Sequence, residues 1–314
     1  MRNQLRFILT VAMASACKPM VGRAPSLIVG PEVLAVRGVP AEAKQGESVT
    51  YDLLVASLDG TVADPPSNWD LCLTPKPPAE SNSVAAACVD APPGDAQGAD
   101  YSALVPLNAC TLFGPIAPPP QANQPPSRPR DPDSTGGYYL PVRAVVSGLT
   151  DRNLVAFDMQ RISCNLVGAS ALVIQDYNTR YKPNANPALA GLDWVTSDAN
   201  SASLADGTVV IPSGGIVTLR ASFTPDSAEI YPVFDSNLQG LVDRRESMSL
   251  GWFATAGAFE HDRTGRAESD PETTSDNTWT SPAVNEVTSV SLWLVLRDSR
   301  GGVDFASYQL TVAP

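Results

Sequence analysis

The sequence predicts an all-β protein built as two tandem β-sandwich domains. Short runs in which apolar and polar residues alternate recur along the chain, each bounded by Gly, Pro, Asn or Asp, which is the pattern of strands with one buried face. The 29 prolines and 22 glycines interrupt the chain too often for long helices. A length of 314 residues holds two domains of ordinary size.

Residues 1–16, MRNQLRFILTVAMASA, read as an export signal. Arg2 and Arg6 are positive, Leu5 to Ala14 is mostly apolar, and Ala14-Ser15-Ala16 supplies small residues at a cut site. The apolar run falls short of the about 20 residues a bilayer span needs. Three uses compete for Cys17, which follows the cut: a core thiol, a disulfide partner, or a lipid attachment point. A core thiol is disfavoured because the position lies outside any plausible domain. Ala14-Ser15-Ala16-Cys17 resembles the lipobox of bacterial lipoproteins, with Ala14 where leucine is usual. The resemblance implies diacylglycerol on the sulfur and an acyl chain such as palmitate on the new amino terminus. Several chains anchor stably where one does not, since each buried methylene contributes about 0.8 kcal/mol.

Residues 17–30 read as a lipid-anchored tether, and 31–167 as the first sandwich. Val33 to Val39 is a strand, and Pro40 to Glu47 a polar turn. Val49, Tyr51, Leu53 and Val55 then alternate with polar residues. Asp59-Gly60 is a turn, and NWDLCLTP places Trp69, Leu71 and Leu73 on one face with Cys72 on the other. Residues 75–132 hold 14 of the 29 prolines, so they cannot furnish a regular ladder. The stretch at about 75–137 is therefore read as an insertion pinned to the sandwich by its cysteines. GGYYLPVRAVVSG and NLVAFDMQRISCNL are returning strands. Residues 168–188 connect the domains, and Ala171, Ile174, Tyr177 and Tyr181 form a helix face that Pro183 stops.

Residues 189–314 form the second sandwich. Val217, Leu219, Ala221 and Phe223 share one face of a strand, and Met248, Leu250, Trp252 and Ala254 one face of another. In VSLWLVLRDSRGG, Val290, Leu292, Leu294 and Leu296 face one way and Trp293 and Val295 the other, which makes this strand central. DSRGG turns the chain into a closing strand with Tyr308, Leu310 and Val312.

With Cys17 set aside, Cys72, Cys88, Cys110 and Cys164 remain, an even number in an exported chain. Zinc is the rival use, but no Cys-x-x-Cys pair is present. Cys72 points away from its sandwich core, so it meets the inserted segment, whose nearest return begins at Cys88. That leaves Cys110 with Cys164. The chain has 21 Lys and Arg against 33 Asp and Glu, net −12. Removing Arg2 and Arg6 leaves 19 against 33, net −14. Such a surface repels phosphate backbones, which excludes nucleic acid as a partner, and it gives no polybasic grip on anionic lipid.

The lipobox-like start, VLAVRGVPAEAKQGESVTYDLLVA, WDLC and the closing WLVLRDSRGGVDFASYQLTV together resemble bacterial envelope lipoproteins built from tandem immunoglobulin-like or PKD-like sandwiches. The resemblance covers roughly residues 31–74 and 205–314. It implies Greek-key sandwiches with Trp69 and Trp252 packed on their third strands, adhesive, spacer or scaffold roles, and no catalytic residues. The second domain departs from the antibody pattern in having no cysteine.

No motif names an activity. His261, the only histidine, sits in a polar turn, with no G-x-S-x-G element for a triad. Acidic loops with Asp243, Glu246, Glu260 and Asp262, and another with Glu268, Asp270, Glu272 and Asp276, are candidate calcium ligands, without a D-x-D-x-D-G loop. No other cofactor is expected. Tyr138, Tyr139 and Trp279 are candidates for a sugar platform. The expected function is a non-enzymatic, lipid-anchored binding, adhesive or scaffold module of the cell envelope. It would hold its domains away from the membrane and bind an envelope protein or polysaccharide. The alternative is a secreted hydrolase or its carbohydrate-binding accessory module. Lys18 is not the aspartate associated with inner-membrane retention, so the outer membrane is the expected address.

Overall fold

The structure is a computed structural model that describes residues 24–117, 119, 122, 137–196, 200–205 and 207–314; the signal layout and Cys17 lie outside the described residues. The first half contains β1 (Glu32–Val39), β2 (Glu42–Ala43), β3 (Ser48–Ser57), β4 (Gly60–Thr61), β5 (Ser67–Leu71), α1 (Ala86–Val89), β6 (Ala96–Gln97), β7 (Tyr101–Leu104), α2 (Ala109–Phe113), β8 (Gly137–Val146) and β9 (Leu154–Ser163). One sheet joins β1, β4 and β7 through β3, and the other runs β2-β9-β8-β5-β6. After α3 (Ala171–Arg180) come β10 (Leu189–Val195), β11 (Ser201–Ser203), β12 (Val210–Pro212), β13 (Ile216–Phe223), β14 (Ile230–Asp235), β15 (Gly240–Arg245), β16 (Met248–Ala254), β17 (Ala258–Phe259), β18 (Arg263–Arg266), β19 (Thr274–Thr280), β20 (Thr288–Asp298) and β21 (Val303–Ala313). Their sheets run β11-β10-β13-β19-β17 and β12-β21-β20-β16-β18, with β14–β15 a separate hairpin.

Both halves follow one plan. The first strand pairs antiparallel with the next long strand of its sheet, β1 with β3 and β10 with β13. A short strand then crosses to the opposite sheet and runs parallel to the last strand, β2 beside β9 and β12 beside β21. The molecule is thus two immunoglobulin-like β-sandwiches. Each core is made by the alternation read in the sequence. Val36, Val49, Tyr51, Trp69, Tyr138, Leu140 and Val142 fill the first, and Leu219, Leu250, Trp252, Trp279, Leu292, Leu294 and Leu310 fill the second. Burying one such side chain stabilises the fold by about 1.5–3 kcal/mol. The two strand tryptophans also place their polar edges: Trp69 Nε1 donates to the Gly98 carbonyl at 2.9 Å and Trp252 Nε1 to Thr264 Oγ1 at 2.8 Å.

The sandwiches are stacked side by side. The outer face of β1 and β3, with Ala35, Leu54 and Ala56, packs on the outer face of β20 and β21, with Trp293, Val295 and Val303. Trp293 is fully buried there and donates from Nε1 to Thr61 Oγ1 at 2.8 Å. Four sheets therefore enclose three apolar layers, and the central placement of β20 follows from its two apolar faces.

Several expectations change. Residues 24–30, read as tether, are packed on the second sandwich: Ile28 is fully buried and its amide donates to the Ala254 carbonyl at 2.9 Å. The Pro-rich stretch also completes both sheets of the first sandwich, because β6 pairs with β5 and β7 with β3. Leu73 is 46% exposed, since β5 ends at Leu71. Ala171 is exposed, and α3 instead packs Val173, Ile174 and Tyr177 on Phe234 and Leu241 of the β14–β15 hairpin. The acidic segment containing Asp276 includes β19, whose buried residues Ser275 and Asn277 gave no apolar alternation.

Candidate functional site at the domain junction

The chemistry-bearing side chains converge where the second sandwich's last turn meets the first sandwich and the connecting segment. Asp298 to Gly302 joins β20 to β21, and Gly301 has φ +102°, a conformation that favours glycine. Asp298 shapes the turn by accepting from the Arg300 amide at 2.8 Å and the Gly302 amide at 2.9 Å. The turn thereby directs Arg300 inward, where it is 1% exposed. Its Nε donates to Glu246 Oε1 at 2.5 Å and its Nη2 to Glu229 Oε2 at 2.6 Å, and its guanidinium lies 4.4 Å from the centre of the Tyr231 ring.

A second node forms around Glu42, whose side chain is fully buried. Glu42 accepts from Arg161 Nε at 3.2 Å, Tyr181 OH at 2.6 Å, the Asn184 amide at 2.9 Å and Ser163 Oγ at 2.6 Å. Tyr181 links the nodes, because its hydroxyl also accepts from Arg300 Nη1 at 3.3 Å. Asn184, with Nδ2 donating to Asp298 at 3.2 Å, ties the connecting segment to the turn. Nearby, Arg37 pairs with Asp52 at 2.6 Å in its own sheet and with Asp304 of β21 at 2.8 Å.

Burial governs the titration here. It pushes the Tyr181 hydroxyl up to about 12, and it pushes Glu246 up to about 7, helped by the Asp298 charge and opposed by Arg300. Burial works to lower Arg300, but the Glu246 and Tyr181 charges outweigh it and leave the guanidinium raised. Removing these ions from water is costly unless each is met by its partners. Here they are met, so the network acts as an electrostatic lock.

Beside the lock opens a cavity of about 490 Å³ between the ends of β2 and β9, the Cys110–Cys164 disulfide and α3. Lys44, Asn165, Tyr177, Asn178 and Tyr181 line it. Tyr177 and Tyr181 stack with ring centres 4.8 Å apart.

The bonds present are Cys72–Cys88 and Cys110–Cys164, the pairs argued from the sequence. The first covers the outside of its sheet, where Cys72, Ala85, Cys88 and Phe157 pack together. The calcium candidates are not brought together: in the second loop Asp270 and Glu272 pair with Arg266, and Asp276 pairs with Arg220. Glu246 belongs to the lock, Asp243 pairs with Arg180, and Glu260 and Asp262 are exposed elsewhere. Among the described residues no group of three or more acidic, histidine or cysteine side chains is placed to hold a metal. Tyr138 and Trp279 are buried in the two cores, so they offer no sugar platform. His261 has a 62% exposed side chain, with Nε2 3.9 Å from Glu260. Glu42, Arg161 and Arg300 carried no sequence signal: Glu42 lies in a two-residue strand within an apparent polar turn. The one hint was DSRGG, an arginine enclosed by turn residues.

No family model matches the chain, and no curated protein matches it. Solved structures that align with it include a nucleoside hydrolase-related protein from Saccharophagus degradans, at 14% identity over 42% of this chain and 26% of that one, TM-score 0.24. Others are the Yersinia pseudotuberculosis adhesin InvE, at 7% identity over 88% of this chain and 58% of that one, TM-score 0.23, and domains 4 and 5 of the S-layer protein SbsC, at 8% identity over 90% of this chain and all of that one, TM-score 0.20. The chain thus spans less than two thirds of the first two. At such scores the likeness carries no argument, and the immunoglobulin-like assignment rests on strand order. Among the described residues no helix is long and apolar enough to cross a membrane.

Proposed function

We propose that the chain is a non-enzymatic binding and scaffold module of the cell envelope, held by lipid on Cys17, with the outer membrane as its address and an envelope protein or polysaccharide as partner. The observation that carries this reading is the lock itself. Arg161 and Glu42 are spent on each other in the first sandwich and Arg300, Glu246 and Glu229 in the second. Tyr181, bonded to both Glu42 and Arg300, and the Arg37–Asp304 pair join the sandwiches into one body that displays a fixed surface. Two disulfides support an exported life, since such bonds persist in oxidising compartments. The signal layout ending at Cys17 supports the anchor.

Fractionation of cells carrying wild-type chain or Cys17→Ser, followed by crosslinked capture from native envelopes, tests the proposal. The wild type should sediment with membranes and capture an envelope component. Cys17→Ser should become soluble or remain unprocessed. A variant that stays membrane-bound and normally processed overturns the anchor. A hydrolytic turnover lost on His261→Ala overturns the non-enzymatic reading.

A further inference from the structure

The cavity beside the lock has the composition of a ligand site. Its 490 Å³ lies within the range of about 300–1,000 Å³ typical of small-molecule pockets. The Cys110–Cys164 disulfide, Pro183 and the stacked Tyr177–Tyr181 pair supply apolar wall, and Lys44, Asn165 and Asn178 supply polar groups. Lys44, Asn165 and Asn178 are exposed at the rim of the cavity, and among the described residues no hydrogen bond or ion pair engages their side chains. The walls are held rigidly by the disulfide, the Ser163–Glu42 bond and the Tyr181–Glu42 bond, so the cavity is formed before a ligand arrives.

The chemistry of these groups selects the ligand. An ammonium gives three donors and no acceptor, and an amide gives donors and an acceptor. Lys44 is the only charged side chain in the lining and one of only four lysines in a chain of net charge −12. A single cation calls for a single anionic group, whereas a polyanion would meet the repulsion of the acidic surface around it. The amides suit hydroxyls, which both donate and accept.

We propose that this cavity binds a short saccharide carrying one carboxylate, with the carboxylate on Lys44 and sugar hydroxyls on Asn165 and Asn178. The proposal rests on the binding-module reading and names the ligand class for it. Titration calorimetry of the full mature chain with cellobiuronic acid and with neutral cellobiose tests it. The acidic disaccharide should bind about tenfold or more tightly than the neutral one, as expected for a charge-assisted hydrogen bond. Lys44→Ala should abolish that preference, Lys44→Arg should keep it, and Asn178→Ala should weaken both sugars. Thermal midpoints near wild type show that the variants fold. Equal affinities in the wild type, no heat from either sugar at millimolar concentration, or a preference untouched by Lys44→Ala each overturn the site. Envelope capture that persists in Lys44→Ala then leaves the broader reading standing and removes only this one.

Discussion

At the scale of single residues, Arg300 and Glu246 decide the strength of the lock. Removing one member of a buried pair strands the other charge, at a cost of about 3–5 kcal/mol. Arg300→Met should therefore lower the denaturant-unfolding free energy by about that amount, because Glu246 has no exposure through which to recover hydration. Adding Glu246→Gln to the same chain should restore part of it, and a double variant worse than the single one would contradict the pairing. The pH response follows from the same pair. Glu246 is pushed up to about 7 from an ordinary 4.5, chiefly by burial, so the folded state holds a proton that the unfolded state has released. Stability from this group is full below about pH 4.5 and is lost as pH rises through about 7, at no more than about 1.4 kcal/mol per pH unit. Burial also raises Asp158, to about 7, and Asp298, and both add in the same direction. Urea midpoints between pH 4.5 and 7 should fall in the wild type and fall less in Glu246→Gln; identical slopes would show that Glu246 stays ionised throughout.

At the scale of elements, the disulfides differ in what they close. Cys72–Cys88 spans 16 residues and Cys110–Cys164 spans 54. On loop entropy the first contributes about 3 kcal/mol and the second about 4 kcal/mol. Paired Cys→Ser variants should follow that order in denaturant midpoint, and a reversal would mean that packing of α1 on the sheet outweighs loop closure. Legibility followed a similar physical division. Strands β3, β13, β16 and β21 were readable because a half-buried strand must alternate, and β8 and β20 as apolar runs bounded by turn residues, since both of their faces are buried. Cys72 was assigned to its outer face because Trp69 and Leu71 occupied the other. β2, β6 and β7 were not readable, being two to four residues long with no full period. β19 was missed because its buried positions include Ser275 and Asn277, satisfied by hydrogen bonds to Thr264 and His261. The lock was illegible for a deeper reason. Its carboxylates lie in separate segments that only the packing of both sandwiches brings together, and an acid in a turn looks the same whether solvated or buried.

At the scale of the whole molecule, the decisive feature is the apolar layer between the sandwiches. Tandem immunoglobulin-like domains with a polar linker behave as independent units, since interfaces within a chain are commonly small and polar. Here Ile28, Ala35, Leu54, Ala56, Trp293, Val295 and Val303 form a shared core, and Arg297 Nη2 donates across it to the Leu34 carbonyl at 3.0 Å. The segment before β1 crosses the boundary as well, with Leu27 bridging Ala254. Neither half can lose its fold without exposing the facing layer of the other, so the two sandwiches should unfold in one cooperative transition. Calorimetry of the full chain should give a van't Hoff enthalpy equal to the measured one. Trp293→Ala removes the largest side chain of the layer and should cost about 3–5 kcal/mol. Because its indole lies outside both sandwich cores, the loss falls on the coupling, and the variant should unfold in two steps. Two separate transitions in the wild type would show that the halves are independent, and a single shifted transition in Trp293→Ala would show that the lock alone is enough to join them.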